Sequence, residues 1–541
     1  LKMRQIIPLL CLAGAMVFVA CSNKDETDEK NGDKIVMSAA QFTLTEEPYG
    51  EETEVETRAA EVLPRTQTVD LGNGIEAEVS IEREQKEAAH KATRATDISN
   101  QHYTITAFKS GVGRVGGTLR GTVSGTGATK TFTPDPGTQH EIELPPGTYT
   151  FFCFNDKVSD DGVFDYSIQQ ADAAGALFGY KTETITGNHY RVNFEMKHQA
   201  VRMRFELTTY WDIMGIKATA SADDGVKSFS YDDLMSNYVS SRGAVISPEF
   251  SFPNATTEAA NYTYTSTSDY GYFLCSFFDG VQTSSNPKIN FTSGSLYGKS
   301  LVGKSLPLSG FPRSALMRNE SYKVKIKLFY SYNYLFQDGT VSTLAVGRKA
   351  GKTPVGACTI GRRAMALRSI SGCAWGPSAS QWDNVAHSEN LNDHKGVIWG
   401  WELTYHANQS YDHSTIKADA TNYPAFYQAA HYAPGVPTSG LGQWYLPSLG
   451  EFLDAYKAIG KFDRSSVTGT WADYTKDWNG KIYRVVFVQA GGSPTLGEWC
   501  WTSQEYNQQS AVNCGCTADY IRLSAYTKNL PGNFVRPFIK Y

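Results

Sequence analysis

The chain has little of what a membrane-spanning or nucleic-acid-binding protein needs. After residue 20 there is no second apolar run of the roughly 18 residues that cross a bilayer. Basic charge is not in excess: 50 Lys and Arg stand against 55 Asp and Glu, a net charge of -5. That balance gives no electrostatic footprint for a polyanion, so no nucleic-acid partner is expected. Tryptophan is nearly missing from the first 374 residues, where only Trp211 occurs; the other nine lie from Trp375 onward. Metal-ligand patterns are lacking too. His387, His394, His406, His413 and His431 form no i,i+4 pair or tight turn, and no Cys pair accompanies them, so no metal site is expected.

What is present favours strands and turns. Aromatic residues make up 13% of the chain, with 31 Tyr and 27 Phe, beside 48 Gly. Hydrophobic content of 41% suffices for real cores, and 541 residues suggest about three or four domains. Two nucleotide-type motifs fail on context. Gly298 to Ser305 matches a phosphate loop, but Pro307, Gly310 and Pro312 follow where a helix must start. Gly111 to Gly116 matches a dinucleotide fingerprint, yet sits in a Gly- and Thr-rich hairpin pattern.

The N-terminus carries Lys2 and Arg4, then an apolar run from Ile6 to Ala20 broken by Pro8 and Gly14. Small Ala20 before Cys21 reads as a lipoprotein signal, with residues 1–20 removed and Cys21 acylated, for instance by palmitate. Residues 21–97 read as a flexible acidic tether and N-terminal arm. Lys24-Asp25-Glu26 within it resembles a sorting signal that sends lipoproteins to the outer surface. Short strands are expected at 35–37, 40–45 and 74–81, and an exposed, charge-laced helix over 82–91. Thr57-Arg58-Ala59 and Thr93-Arg94-Ala95 place Arg beside small residues in that arm. On physical grounds alone both read as solvated arginines.

From His102 strands dominate. Ile142 to Phe152 holds a strand end, a Pro-Pro-Gly turn and an aromatic strand. Asn193 to Leu207 shows two alternating halves joined at Lys197-His198. In Arg318 to Phe329, Val324, Ile326 and Leu328 face one side and Lys323, Lys325 and Lys327 the other. Many short strands over about 235 residues suit two β-sandwiches.

The lipobox, the Thr-Arg-Ala arm, the passage Phe194 to Val201 and the closing Glu320 to Ile326 together resemble the fimbrillin family of pilin-like lipoproteins. The resemblance covers residues 1 to about 335. It implies two tandem transthyretin-like β-sandwiches, expected at 98–205 and 206–337, and lipid anchoring to the outer membrane. It also implies an Arg-specific cut, for which Arg94 is the better candidate and Arg58 the second. The cut opens a groove for donor-strand complementation by other fimbrial subunits.

Residues 338–541 differ in composition. Asp338-Gly339-Thr340 reads as the boundary turn. A helix is expected at Tyr423 to Ala430. Another is expected after Trp444 to Pro447, capped by Ser448 with Glu451 three residues on, and with Phe452, Tyr456 and Ile459 as its apolar stripe. The order Trp444 to Ser448, Trp501 to Tyr506, Val535 to Phe538 resembles an α+β, C-type-lectin-like, major-paralogous-type surface domain, related to sulfatase-modifying factors. Trp444, Trp501, Glu505 and Arg536 lie on the shared motifs. We read the two Trp as core and expect Glu505 and Arg536 to form a buried ion pair holding loops, with ligand contact as the lesser alternative. Calcium-type sugar motifs are absent, since Trp382-Asp383-Asn384 has the wrong order. Cys514-Gly515-Cys516 lacks the Arg-Gly-Gly-Ser-Trp neighbourhood of the oxidase relatives, so no enzyme and no cofactor are expected. Pairing among Cys153, Cys275, Cys358, Cys373, Cys500, Cys514 and Cys516 stays open.

The expected fold is therefore mainly β, with two tandem sandwiches and an α+β C-terminal domain. The expected role is a cell-surface minor or tip subunit of a fimbria that adheres, through its C-terminal domain, to a host or bacterial glycan or protein. The alternative is a stand-alone outer-membrane lipoprotein that binds glycans or nutrients.

Overall fold

A computed structural model describes residues 34–50, 66–84, 98–127, 130–162, 165–187, 189–232, 237–274, 287–309, 318–377, 380–494 and 496–541. Cys21, Arg58, Arg94 and Cys275 lie outside the described residues. The chain is mainly β and forms several sheets. The strands that join its units are β1 (Ile35–Ser38), β2 (Phe42–Glu46), β3 (Gln67–Asp70), β4 (Ile75–Arg83), β5 (Val192–His198), β6 (Ala200–Thr209) and β7 (Ser321–Tyr330).

The aromatic strand Gly147–Asn155 shows how the first unit is built. Phe151 and Cys153 enter one apolar cluster, while Phe152 and Phe154 enter another. A strand with large apolar side chains at successive positions needs cover on both faces. It lies inside a seven-stranded sheet that begins at β2 and β5 and ends at Thr131–Pro134. β1, paired antiparallel with Glu141–Leu144, contributes Ile35 and Met37 to the first cluster. The second cluster takes Val226 and Leu274 from the next unit, so the two units share a core at their junction.

That next unit is organised around β7. It pairs antiparallel with β4, from Tyr322 opposite Arg83 to Tyr330 opposite Ile75, and parallel with β6. Val324, Ile326 and Leu328 are fully buried, and the lysines between them are half-buried. A second sheet, built on Lys217–Asp232 and Lys288–Ser293, supplies Ala218, Ile289 and Phe291 to the same core. Gly298 and Lys299 belong to a two-residue-wide hairpin, with Gly298 at φ +70°, and no helix follows among the described residues up to Ser309.

Several expectations need correction. The arm over 21–97 is not a loose tether in its described parts. β1 and β2 complete the first unit, and β3 and β4 complete the second. Met37, Phe42, Leu44, Ile75, Val79 and Ile81 are all fully buried. The acids that made this region look solvated alternate with those apolar residues, which is strand amphipathicity. The helix expected over 82–91 does not start at Glu82: Glu82 and Arg83 extend β4, and residues 85–91 lie outside the described residues. Arg83 meets Glu320 at 3.1 Å, both nearly buried, and Glu84 accepts from Tyr270 and Ser321 at 2.9 Å and from Arg204. These contacts lie across the sheet, and extended backbone is what reaches them.

The division expected at 205/206 cuts through β6. The chain changes sheets at Gln199, between β5 and β6. Gln199 is buried, its amide donating to Lys197 O at 2.7 Å and Phe178 O at 3.3 Å, which satisfies backbone carbonyls where the two strands part. The boundary expected at 338 is likewise displaced. Asp338-Gly339-Thr340 is the turn of a hairpin that pairs Asn333–Phe336 with Val341–Thr343, both within the C-terminal unit.

The C-terminal unit holds two six-stranded sheets and short helices. The longest helices are α1 (Leu449–Gly460) and α2 (Gly480–Gln489). Glu451 reaches back to the Ser448 N–H at 2.8 Å, as the spacing predicts. Phe452, Tyr456 and Ile459 are buried, but so are Leu449, Leu453 and Ala455, so α1 is enclosed on nearly all sides. The apolar core of the second unit continues without a break into that around α1 and α2.

Candidate functional site

Two regions bring functional candidates together. The first is in the C-terminal unit, on strand β8 (Trp499–Glu505). Its partner strand pairs Trp501 with Asn513 but Glu505 with Ala511, so β8 carries extra residues. The resulting irregularity turns Thr502, Ser503, Gln504 and Glu505 all inward. Trp501 is fully buried and donates its indole N–H to Cys373 O at 2.8 Å. Trp444 is also core, edge-on to Tyr432.

The expected Glu505–Arg536 ion pair does not form. Arg536 is fully buried elsewhere. It donates to Ala366 O at 2.7 Å, Leu367 O at 2.8 Å, Ser369 Oγ at 2.8 Å and Ser493 Oγ at 3.1 Å, and it covers the Phe487 ring. Its planar fork suits the successive Ala366 and Leu367 carbonyl oxygens, with the two serine hydroxyls taken by its other nitrogen. Glu505 instead takes Lys528, which follows strand Ile521–Thr527, at 2.5 Å. Three backbone contacts hold the carboxylate: Asp383 N at 3.0 and 3.1 Å, and Asn384 N at 2.8 Å.

Lys528 Nζ also donates to Asp383 Oδ2 at 2.7 Å and to Gln381 O at 2.8 Å. Asp383 Oδ1 accepts from Tyr423 OH at 2.8 Å and from the Gln381 amide at 2.9 Å. Lys528, Asp383 and Glu505 side chains have no solvent exposure at all. Trp375 lies under the ammonium, 5.6 Å from ring centroid to Nζ. A second buried lysine, Lys417, donates to Ser410 Oγ at 2.8 Å beside Tyr423 and Phe426. Burial pushes Lys417 down to about 8 and pushes the Glu505 carboxyl up, the latter against the pull of Lys528. Sequence reasoning missed Asp383, Lys417 and Lys528. Nothing in their local pattern marks them, because charged residues in short loops read as solvated until the fold closes over them.

Among the described residues the cysteines offer no activated nucleophile. Cys153, Cys358, Cys373, Cys500 and Cys514 are free and buried, and Cys516 is buried beside them. Burial raises the Cys358 thiol to about 11 and the Cys373 thiol to about 12, which opposes thiolate chemistry. Among the described residues no three His, Cys, Asp or Glu converge as a metal set. His394 is tied to Ser388 O at 2.6 Å and Gln504 at 2.9 Å, and His387 stacks on Trp382.

The second region is the edge occupied by β2. It runs parallel to β5, with Phe42 opposite Val192 and Glu46 opposite Met196. Phe42 sits between Phe151 and Phe194. Glu46 then anchors the strand end by accepting from Ser99 N at 2.9 Å and meeting His198 at 3.2 Å. β1 and β2 together plug the first unit with residues that precede Arg58 in the chain.

These two regions define a multi-unit β protein whose N-terminal strands complete its first sheets and whose C-terminal α+β unit is held by buried polar clusters. No family model matches the chain. No curated protein matches it either. Among solved structures, the chain is similar to a fimbrial protein from Bacteroides ovatus at 12% identity and TM-score 0.27, covering 82% of this chain and 95% of that one. It is similar to the fimbrial anchor protein Mfa2 from Porphyromonas gingivalis at 10% identity and TM-score 0.26, covering 48% and 92%. A candidate cell adhesion protein from Bacteroides uniformis gives 14% identity and TM-score 0.30, covering 45% and 90%.

Proposed function

We infer that this chain is a cell-surface fimbrial subunit that ends a polymer and adheres through its C-terminal unit. The observation that carries this reading is the placement of β1 and β2. They precede Arg58, they sit at a sheet edge, and they bury Met37, Phe42 and Leu44 completely. A cut at Arg58 frees both strands and leaves the β5 edge and its apolar floor for an incoming strand. A cut at Arg94 frees β3 and β4 as well and opens the second unit beside β7. Strand Phe538–Lys540 supports a terminal position. It lies between Arg363–Ala366 and Trp444–Tyr445 in its sheet, so it is not free to be donated. A subunit that accepts a strand while Phe538–Lys540 stays paired on both sides suits the end of a polymer.

On this reading Cys21 is the export address, and it stays attached only where neither arginine is cut. Exposed rings on the C-terminal unit, Trp399, Tyr411 and Trp471, supply flat apolar surface for a sugar or protein target. Purified native surface filaments, probed for this chain with N-terminal sequencing, test the assignment. The expected result is a filament-associated chain starting after Arg58 or Arg94. Recovery only as a full-length lipidated monomer overturns it and favours a stand-alone lipoprotein.

A further inference from the structure

The buried cluster beneath Trp375 has the composition and geometry of a condensation site. A lysine amine touches a carboxyl group, and a second carboxylate touches the same amine, with no water-exposed atom among the three side chains. We propose that Lys528 and Asp383 join spontaneously in an intramolecular isopeptide bond, with Glu505 relaying the proton.

The two carboxylates are not equivalent, and their surroundings assign their roles. Glu505 accepts three backbone N–H contacts from Asp383 and Asn384, which stabilise it as an anion and make it a poor electrophile. It is suited to remove a proton from Nζ at 2.5 Å. Asp383 is held differently. Tyr423 OH and the Gln381 amide converge on Oδ1 alone, while Oδ2 faces the amine at 2.7 Å. Donors gathered on one oxygen polarise the carbonyl and steady the negative charge that forms there on attack. The other oxygen leaves.

The step balances. Glu505 takes one proton from the Lys528 ammonium, and the free amine attacks Cγ of Asp383. Glu505 returns that proton to Oδ2 and a second proton passes from nitrogen to the same oxygen, which departs as water. The N–Cγ bond forms and the Cγ–Oδ2 bond breaks; an ammonium and a carboxylate become an amide and water, with no oxidant or co-reactant. The remaining amide N–H stays within reach of Glu505. Charge favours the same direction. The cluster begins with Lys417 and Lys528 against Asp383 and Glu505, all buried. Condensation removes one charge of each sign from a dry interior, where both are costly to hold, and leaves Lys417 to balance Glu505. Burial of the raised Glu505 carboxyl and the lowered Lys417 ammonium expresses the same strain. The bond ties the Gln381–Asn384 loop to the end of strand Ile521–Thr527, 145 residues away. A covalent tie of that span resists unfolding and mechanical pull on the C-terminal unit.

Mass spectrometry of the purified full chain, reduced and denatured, tests this. The wild type is expected one water lighter than its sequence requires. Its tryptic map should join the peptide 369–395 to the peptide holding Lys528, after which trypsin no longer cuts. Lys528→Arg should show neither change. Asp383→Asn should lose ammonia in place of water and give the wild-type product mass. Glu505→Gln, checked for native circular dichroism, should keep its full mass. A wild type at full mass overturns the proposal, as does a cross-link mapped to Glu505. A bond that forms unimpaired in Glu505→Gln overturns the proton-relay role.

Discussion

Gln489 completes the backbone of Tyr330. Its side-chain carbonyl accepts the Tyr330 N–H at 3.0 Å, and its amide donates to the Tyr330 carbonyl at 2.8 Å and to Tyr334 OH at 2.8 Å. On one side Tyr330 faces Ile75 of β4, and parallel pairing with β6 has already ended at Lys327. A fully buried amide from α2 thus takes the place of the missing strand where the second and C-terminal units meet.

Gln489→Ala should therefore uncouple those units. It leaves a buried N–H and C=O unpaired, at roughly 1–3 kcal/mol each. Urea unfolding should show a loss of about 2–6 kcal/mol, with the C-terminal unit melting ahead of the rest. A loss under about 1 kcal/mol would mean that water replaces the amide and that the clamp is unimportant.

Arg536→Lys should cost stability although charge is kept. An ammonium cannot span Ala366 O, Leu367 O and two serine hydroxyls from one point. At least one buried acceptor is left bare, so roughly 1–3 kcal/mol should go. Differential scanning calorimetry of the variant reads this as a lower melting temperature; an unchanged value would show that the fork geometry does not matter.

His102 should make the first unit pH-sensitive. Burial lowers its pKa, but hydrogen bonds with Asp156 and Asp135 outweigh that and raise it above 6.5. A raised histidine stabilises fully below its unfolded pKa and loses that contribution as pH rises through the folded value. The stability gap between wild type and His102→Gln should be widest below pH 6.5 and should close above it. Urea titrations at several pH values measure the gap, and one that widens with pH would reverse the sign of the argument.

Strand exchange at β5 should be reproducible with a peptide. Chain cut at Arg58 and stripped of residues 34–50 in mild denaturant should rebind a labelled 34–50 peptide. Phe42→Glu in the peptide should abolish binding, because Phe42 is fully buried against Phe151 and Phe194. Fluorescence anisotropy follows the exchange. Equal binding of the Phe42→Glu peptide would remove β2 as the plug.

Much of the fold was legible as local pattern. The alternation in β4 and β7, the aromatic strand that runs to Phe152, and the Ser448–Glu451 spacing each announce their element, because strand and helix periodicity act between near neighbours. The motif order around Trp444 and Trp501 marked an α+β C-terminal region rich in buried Trp. The errors came where distant residues decided the outcome. Glu82 and Arg83 looked helical until Glu320 stood opposite Arg83.

Pairwise assignment was the other failure. Glu505 and Arg536 are the motif charges, which makes each the natural partner of the other; the fold gives Glu505 to Lys528, and Arg536 to the Ala366 and Leu367 carbonyls with Glu498 at 3.7 Å.

Composition and periodicity alone settled that this chain is mainly β, with aromatic cores and a Trp-rich C-terminal region, since burial patterns at periods of two and 3.6 need no long-range information. Only the tertiary structure decided that the described strands of the acidic arm complete sheets of the first two units, that the chain changes sheets at Gln199, and that Lys528 lies between Asp383 and Glu505. Those outcomes depend on which segments meet across hundreds of residues. Desolvation then acts on the meeting: a charge written as a surface residue becomes a buried reactant once loops and strands close around it.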